Sequence, residues 1–137
     1  MYLSENLYLY TEVPVTLDLA GQTLTCGSSR VFTGYDGEKV YSSDITFTDT
    51  KGGGKIYATA NQVAVYVSSG KFTFSGGSIV NTYSPEKTSA YGIYAKRNSE
   101  VNITAGSVLA ETAVMAWPAT VNITGGIIQG TKFHFPY

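Results

Sequence analysis

The sequence predicts an all-β chain folded as a β-solenoid of about five stacked coils, and three observations carry that prediction. An eight-residue motif of alternating apolar and polar residues recurs along the chain. Clusters of Ser, Gly, Asn and Pro separate the recurrences. No segment holds a sustained 3.6-residue apolar period, so no long helix is expected.

The clearest copies of the motif are Phe72-Thr-Phe-Ser-Gly-Gly-Ser-Ile79, Val101-Asn-Ile-Thr-Ala-Gly-Ser-Val108 and Val121-Asn-Ile-Thr-Gly-Gly-Ile-Ile128. Leu17-Asp-Leu-Ala-Gly-Gln-Thr-Leu24 is an earlier copy. Ile45-Thr-Phe-Thr-Asp49 is a partial one, whose glycines (Gly52 to Gly54) arrive late. The copies start at 17, 45, 72, 101 and 121, at spacings of 28, 27, 29 and 20. Strand side chains alternate between two faces, so each copy offers two inward positions. The first column reads Leu17, Ile45, Phe72, Val101, Val121, and the second Leu19, Phe47, Phe74, Ile103, Ile123. One coil of this length cannot bury its apolar face alone, whereas stacked coils share a continuous core. The small pair after the strand, as in Gly76-Gly77 and Gly125-Gly126, suits a bend needing positive φ or close backbone approach.

A second strand precedes the motif in each later coil: Val63–Val67, Tyr91–Ala95 and Ala113–Ala116. Turns are expected at 68–71, 96–100 and 117–120. The whole chain, 1–137, reads as one domain. Residues 1–12 form a capping strand with Leu7 and Leu9 inward, 13–130 the coils, and 131–137 a capping tail. In that tail Phe133 and Phe135 alternate and Pro136 stops further pairing. Segments 26–44 and 81–90 break the rhythm and read as surface excursions.

The pattern resembles the right-handed parallel β-helix proteins of pectate-lyase-like architecture. It is most similar to the degenerate repeats of bacterial surface and secreted members. The likeness is carried by Thr16-Leu-Asp-Leu-Ala-Gly-Gln-Thr-Leu24, Gly92-Ile-Tyr94 and Val101-Asn-Ile-Thr-Ala-Gly-Ser107, and extends over residues 13–130. It implies a right-handed coil. It does not imply one activity, since the architecture hosts lyases, hydrolases, adhesins and phage tail parts.

Composition narrows the function. Charged residues are 14%, against roughly 25% in an average soluble domain. Surface polarity therefore falls to Thr, Ser, Asn and Tyr, a habit of extracellular β proteins, and an extracellular or cell-surface location is expected. The first six residues carry no signal-peptide pattern. Net charge is -1, and Arg30, Lys96 and Arg97 are too scattered in sequence for a phosphate stripe, so no nucleic-acid partner is expected. No run of 18 apolar residues exists, so no membrane-spanning helix is expected. Cys26 is the single cysteine; it has no internal disulfide partner and reads as a buried hydrophobe.

No residue pattern points to catalysis, metal or cofactor. His134 stands in the tail with no acidic or Cys companion at ligand spacing. Glycosidases need two carboxylates about 5 to 9.5 Å apart, and Asp44 with Asp49 is the least unfavourable pairing. The eleven Tyr and one Trp are the better lead. Alternation turns Tyr66 outward with Tyr94 one coil later, and Trp117 follows. Such a ridge suits stacking on sugar rings, because aromatic faces offer large area at little entropic cost. The leading expectation is a non-catalytic, secreted or surface-displayed, adhesin-like or carbohydrate-contacting module that binds a glycan through Tyr66, Tyr94 and Trp117. The alternatives are a polysaccharide lyase or glycoside hydrolase-like β-helix or a fragment of one, and an assembly subunit forming homo-oligomers through open solenoid ends.

Overall fold

The computed structural model describes residues 1–131, and the expected tail residues Phe133, His134, Phe135 and Pro136 lie outside them. The described residues form thirteen β-strands and no helix, and none of their segments is a helix able to cross a membrane. In chain order the strands are β1 (Leu7–Leu9), β2 (Val15–Asp18), β3 (Thr23–Gly27), β4 (Val31–Thr33) and β5 (Asp44–Thr48). There follow β6 (Lys55–Ala58), β7 (Val63–Val67), β8 (Lys71–Phe74) and β9 (Ser78–Asn81). The last four are β10 (Tyr91–Ile103), β11 (Ser107–Ala110), β12 (Thr112–Ile123) and β13 (Ile127–Gly130).

They make two sheets, and every ladder between named strands is parallel. The five-stranded sheet runs β3-β6-β9-β11-β13. In the eight-stranded sheet two rows, β2-β5-β8 and β1-β4-β7, meet on opposite halves of β10, and β12 lies along β10. Parallel strands buried on one face explain the uninterrupted Val, Ile and Phe at inward positions.

The repeat seen in the sequence is a register in space. Ile45, Phe72, Val101 and Val121 pair in turn, and so do Phe47, Phe74, Ile103 and Ile123. The first copy is displaced. Val15, not Leu17, pairs with Ile45, and Leu17, not Leu19, pairs with Phe47. Between them Thr16 pairs with Thr46, so Asp18 stands opposite Thr48. The reason lies in the bend. Leu24 pairs with Ile56 as the motif requires, but the bend before it is two residues longer than the one before Ile79. Ala20 and Gly21 accommodate it at φ 50° and 76°.

Three other expectations are corrected. The excursion at 26–44 contains β4, a full member of the large sheet, and β6 was not foreseen. The turns expected at 96–100 and 117–120 lie inside β10 and β12, which run on without a break. What stands there is a bulge. Lys96 pairs with Trp117 and Ser99 with Ala119, so Arg97 and Asn98 together oppose Pro118. Two residues against one bends the ladder locally. Arg97 and Asn98 adopt φ 58° and 56°, and Pro118, which has no N–H to donate, occupies the unpaired position.

The core is one continuous cluster between the sheets. It holds Ile45, Phe47, Phe72, Phe74, Val101 and Ile103 from one row. Val31, Val65, Val67, Ile93 and Ala95 come from the second row, and Leu24, Ile56, Ile79 and Val108 from the small sheet. Leu7 and Leu9 pack against it, as expected of the first strand. Cys26 is fully buried among these residues, and burial pushes its thiol up to about 11. Segment 82–90 holds no strand, but it is tied down. Asn81, itself buried, donates from Nδ2 to the carbonyls of Asn61 (2.9 Å) and Tyr91 (3.0 Å), and its Oδ1 accepts from the Tyr83 amide (3.1 Å). Glu111 accepts from the Ala90 amide at 3.0 Å and the Ser84 hydroxyl at 2.8 Å.

Candidate functional site

Outward positions of the β1-β4-β7-β10 row carry an aromatic series. Register places Tyr8 beside Phe32, Phe32 beside Tyr66, and Tyr66 beside Tyr94. Adjacent strands are about 4.8 Å apart, close to the natural separation of stacked rings, so the rings meet without strain. Tyr8 stacks on Phe32 with centroids 5.1 Å apart, and Tyr66 on Tyr94 at 5.2 Å with planes only 16° from parallel. Between these pairs, Phe32 and Tyr66 are tilted by 45° at 5.3 Å. Tyr35 meets Tyr8 at a steep angle, and Tyr91 meets Tyr94 in the same way.

Of the three aromatic candidates, Tyr66 and Tyr94 are therefore brought together, each half-buried. Their facing surfaces cover one another, which leaves edges and hydroxyls for a ligand. Trp117 is not in this row. Met115 pairs with Tyr94, and Trp117 pairs with Lys96 one same-face position further on. Trp117 is 69% exposed, so its ring is the open aromatic surface of the three.

Sequence reasoning missed the basic groups around this row. Arg30, Lys96 and Arg97, scattered in the sequence, line one cleft of about 230 Å³ with Phe32, Tyr35, Tyr66 and Ser68. The Arg30 guanidinium carbon lies 5.9 Å from the Phe32 centroid and 6.0 Å from that of Tyr66, in the wedge that their tilt opens. Lys96 Nζ stands 5.4 Å from the Tyr66 centroid. Burial lowers the Arg30 pKa, while the nearby Tyr66 opposes that shift. A guanidinium stays charged at neutral pH regardless. The available signal was spacing by two: Arg30 precedes Phe32, and Lys96 follows Tyr94, on the same strand faces. That becomes informative only once β4 is known to be a strand beside β7.

Arg97 also lines a neighbouring cleft of about 510 Å³, with Ser42, Ser43, Asp44, Lys71, Asn98 and Glu100. Here the charges are mixed. Lys71 and Glu100 form an ion pair at 3.6 Å, and Asn102 donates to Glu100 at 3.0 Å. That hydrogen bond, then Lys71, holds Glu100 below the usual carboxylate range.

The structure does not bring Asp44 and Asp49 together. They stand at opposite ends of β5, and five residues of strand at about 3.3 Å each separate them by about 16 Å, beyond glycosidase geometry. Asp49 has a structural task instead. One oxygen accepts from the Gly21 amide and the other from the Gly54 amide, both at 2.7 Å, which clamps two successive bends. Asp18 is held below its usual pKa by the hydroxyl and amide of Thr50 and the amide of Ala20. Among the described residues, no three His, Cys, Asp or Glu side chains are grouped to hold a metal ion.

Comparison with known proteins finds no matching family model, no similar curated protein and no similar solved structure.

Proposed function

We propose that the two sheets are faces of one right-handed parallel β-solenoid, and that the molecule is a non-catalytic, secreted or surface-displayed module that contacts glycans. Support for the solenoid comes from strands 27 to 29 residues apart pairing in parallel and in register, with a shared interior. Low charge and a Thr, Ser, Asn and Tyr surface suit the extracellular setting.

One observation carries the glycan reading: Trp117, a largely exposed indole, pairs with Lys96, one same-face position along the strands from an ordered row of Tyr rings. A large apolar ring held open on a rigid strand is a surface for the apolar face of a sugar. The row supplies hydroxyls along its edge. A glycan array with wild type, Trp117→Ala and Tyr94→Ala tests this. Trp117→Ala is expected to weaken the best ligand about tenfold, equal to about 1.4 kcal/mol. Tyr94→Ala is expected to weaken it less, since the Tyr94 ring already spends one face on Tyr66. Absence of binding to every glycan overturns the reading.

A second reading has its own observation. The β12–β13 edge exposes Ile123 at 52% and Ile127 at 67%, whereas their column mates Phe74 and Ser78 are covered by further strands. The opposite edge exposes Val13 and Val15 beside an apolar cleft lined by Met1, Leu17, Leu19 and Leu24. Both edges continue the same columns, so a second copy stacked head to tail would extend the ladders. Light scattering after size exclusion checks this. Wild type is expected to associate as concentration rises, and Ile127→Lys to remain monomeric.

A further inference from the structure

We infer that the cleft between Arg30, Tyr66 and Lys96 is a subsite for an acidic group on the glycan, either the carboxylate of a uronate residue or a sulfate ester. This rests on the glycan reading above and specifies its ligand class. Three of the nine Lys and Arg residues in the chain converge on this single cleft, and no carboxylate lines it. The one ion pair among the described residues, Lys71 with Glu100, lies in the neighbouring cleft. Arg30 and Lys96 therefore share a lining that holds no carboxylate, with Arg97 at the side where the mixed-charge cleft begins, an arrangement that repels itself until an anion enters.

The aromatic rings orient the cations without neutralising them. Arg30 is held in the wedge between Phe32 and Tyr66, and Lys96 stands over Tyr66. A guanidinium fixed in this way presents its N–H fork to a planar carboxylate or to sulfate oxygens. Arg97 reaches the cleft from a left-handed backbone position that glycine would occupy with less strain. A non-glycine residue kept at such a φ in a bulge beside a cleft is a mark of a functional position. The cleft volume, about 230 Å³, falls below that of pockets enclosing free small molecules, so it suits one residue of a longer chain. Trp117, largely exposed, pairs with Lys96 on the neighbouring strand, one strand over from this basic cleft.

A nucleic acid fits less well. A phosphate backbone needs a continuous run of cations. Here the path from Arg97 leads into the cleft that holds Asp44 and Glu100.

Titration calorimetry with four probes tests the assignment: dextran, dextran sulfate, polygalacturonate and an oligothymidylate. Wild type is expected to bind dextran sulfate or polygalacturonate at least tenfold more tightly than dextran, with affinity falling as salt rises. Whichever of the two binds identifies sulfate or carboxylate as the group read. Arg30→Gln with Lys96→Gln is expected to abolish that preference. Arg97→Gly guards against loss of fold, because it relieves the backbone while removing a charge. It is expected to melt no lower than wild type and still bind the acidic probe several-fold more weakly. Binding to dextran alone, or acidic binding unchanged in these variants, overturns the subsite but leaves the glycan reading standing. Equal affinity for oligothymidylate at the same salt overturns the subsite as specific to acidic sugars. Failure to bind any glycan, here and on the array, overturns both.

Discussion

Gly106→Ala is expected to destabilise the protein by about 2–5 kcal/mol, read as a lower urea midpoint at unchanged slope. Two separate effects add. Gly106 has φ +87°, a conformation that L side chains rarely adopt, and that alone costs about 1–2 kcal/mol. A methyl group there would also lie 2.6 Å from the Gly77 carbonyl oxygen and 2.8 Å from Cε2 of Phe74. Neither neighbour yields easily. The carbonyl belongs to the preceding bend, and the Phe74 ring is fully buried. Gly52→Ala separates the two effects. Gly52 has φ +82°, but a methyl group there would meet nothing within 4 Å. Its loss is expected to stay near about 1 kcal/mol. Gly77 and Gly126 repeat the Gly106 geometry at φ 84° and 87°, each closing on the carbonyl of the bend before it. The bend thus stacks as closely as the strands do, which is why a small residue recurs at that place in the motif.

How far the sequence revealed this depends on which forces act locally. Alternation along Phe72–Phe74, Val101–Ile103 and Val121–Ile123 is a property of single strands, so those columns were legible and pair as read. Bend length is not visible in a strand pattern. The motif aligned on Leu24 and glycine therefore slipped the first copy by two residues and put Leu17 and Leu19 where Val15 and Leu17 belong. β4 was hidden because three residues, Val31 to Thr33, are too few to show a period; they become a strand only through partners on β1 and β7. Links rich in Ser, Asn and Pro read as turns, yet pairing between β10 and β12 absorbed them as a bulge. The candidate site was half legible for the same reason. Tyr66 and Tyr94 follow from alternation, whereas Tyr8, Phe32 and the convergence of Arg30 on Lys96 follow from cross-strand register. Single-strand periodicity finds faces; it does not find what lies across from them.

Phe74→Ala is expected to cost about 3–5 kcal/mol in the same unfolding experiment, and Ile123→Ala less than about 1 kcal/mol, although both side chains occupy one column. Phe74 is fully buried, with Phe47 paired on one side and Ile103 on the other. Removing its ring leaves a cavity walled by two neighbouring strands, which cannot both collapse inward without breaking register. Ile123 has Ile103 on one side only and is half exposed, so solvent fills the space a truncation leaves. The contrast follows from nearest-neighbour stacking, in which each interior layer is stabilised by two interfaces and a terminal layer by one. A large loss at Ile123 would mean that the β12–β13 edge is covered in solution. Repeating the pair of measurements across a hundredfold range of protein concentration then distinguishes a second copy from an intramolecular cover, because association makes the Ile123 penalty grow with concentration.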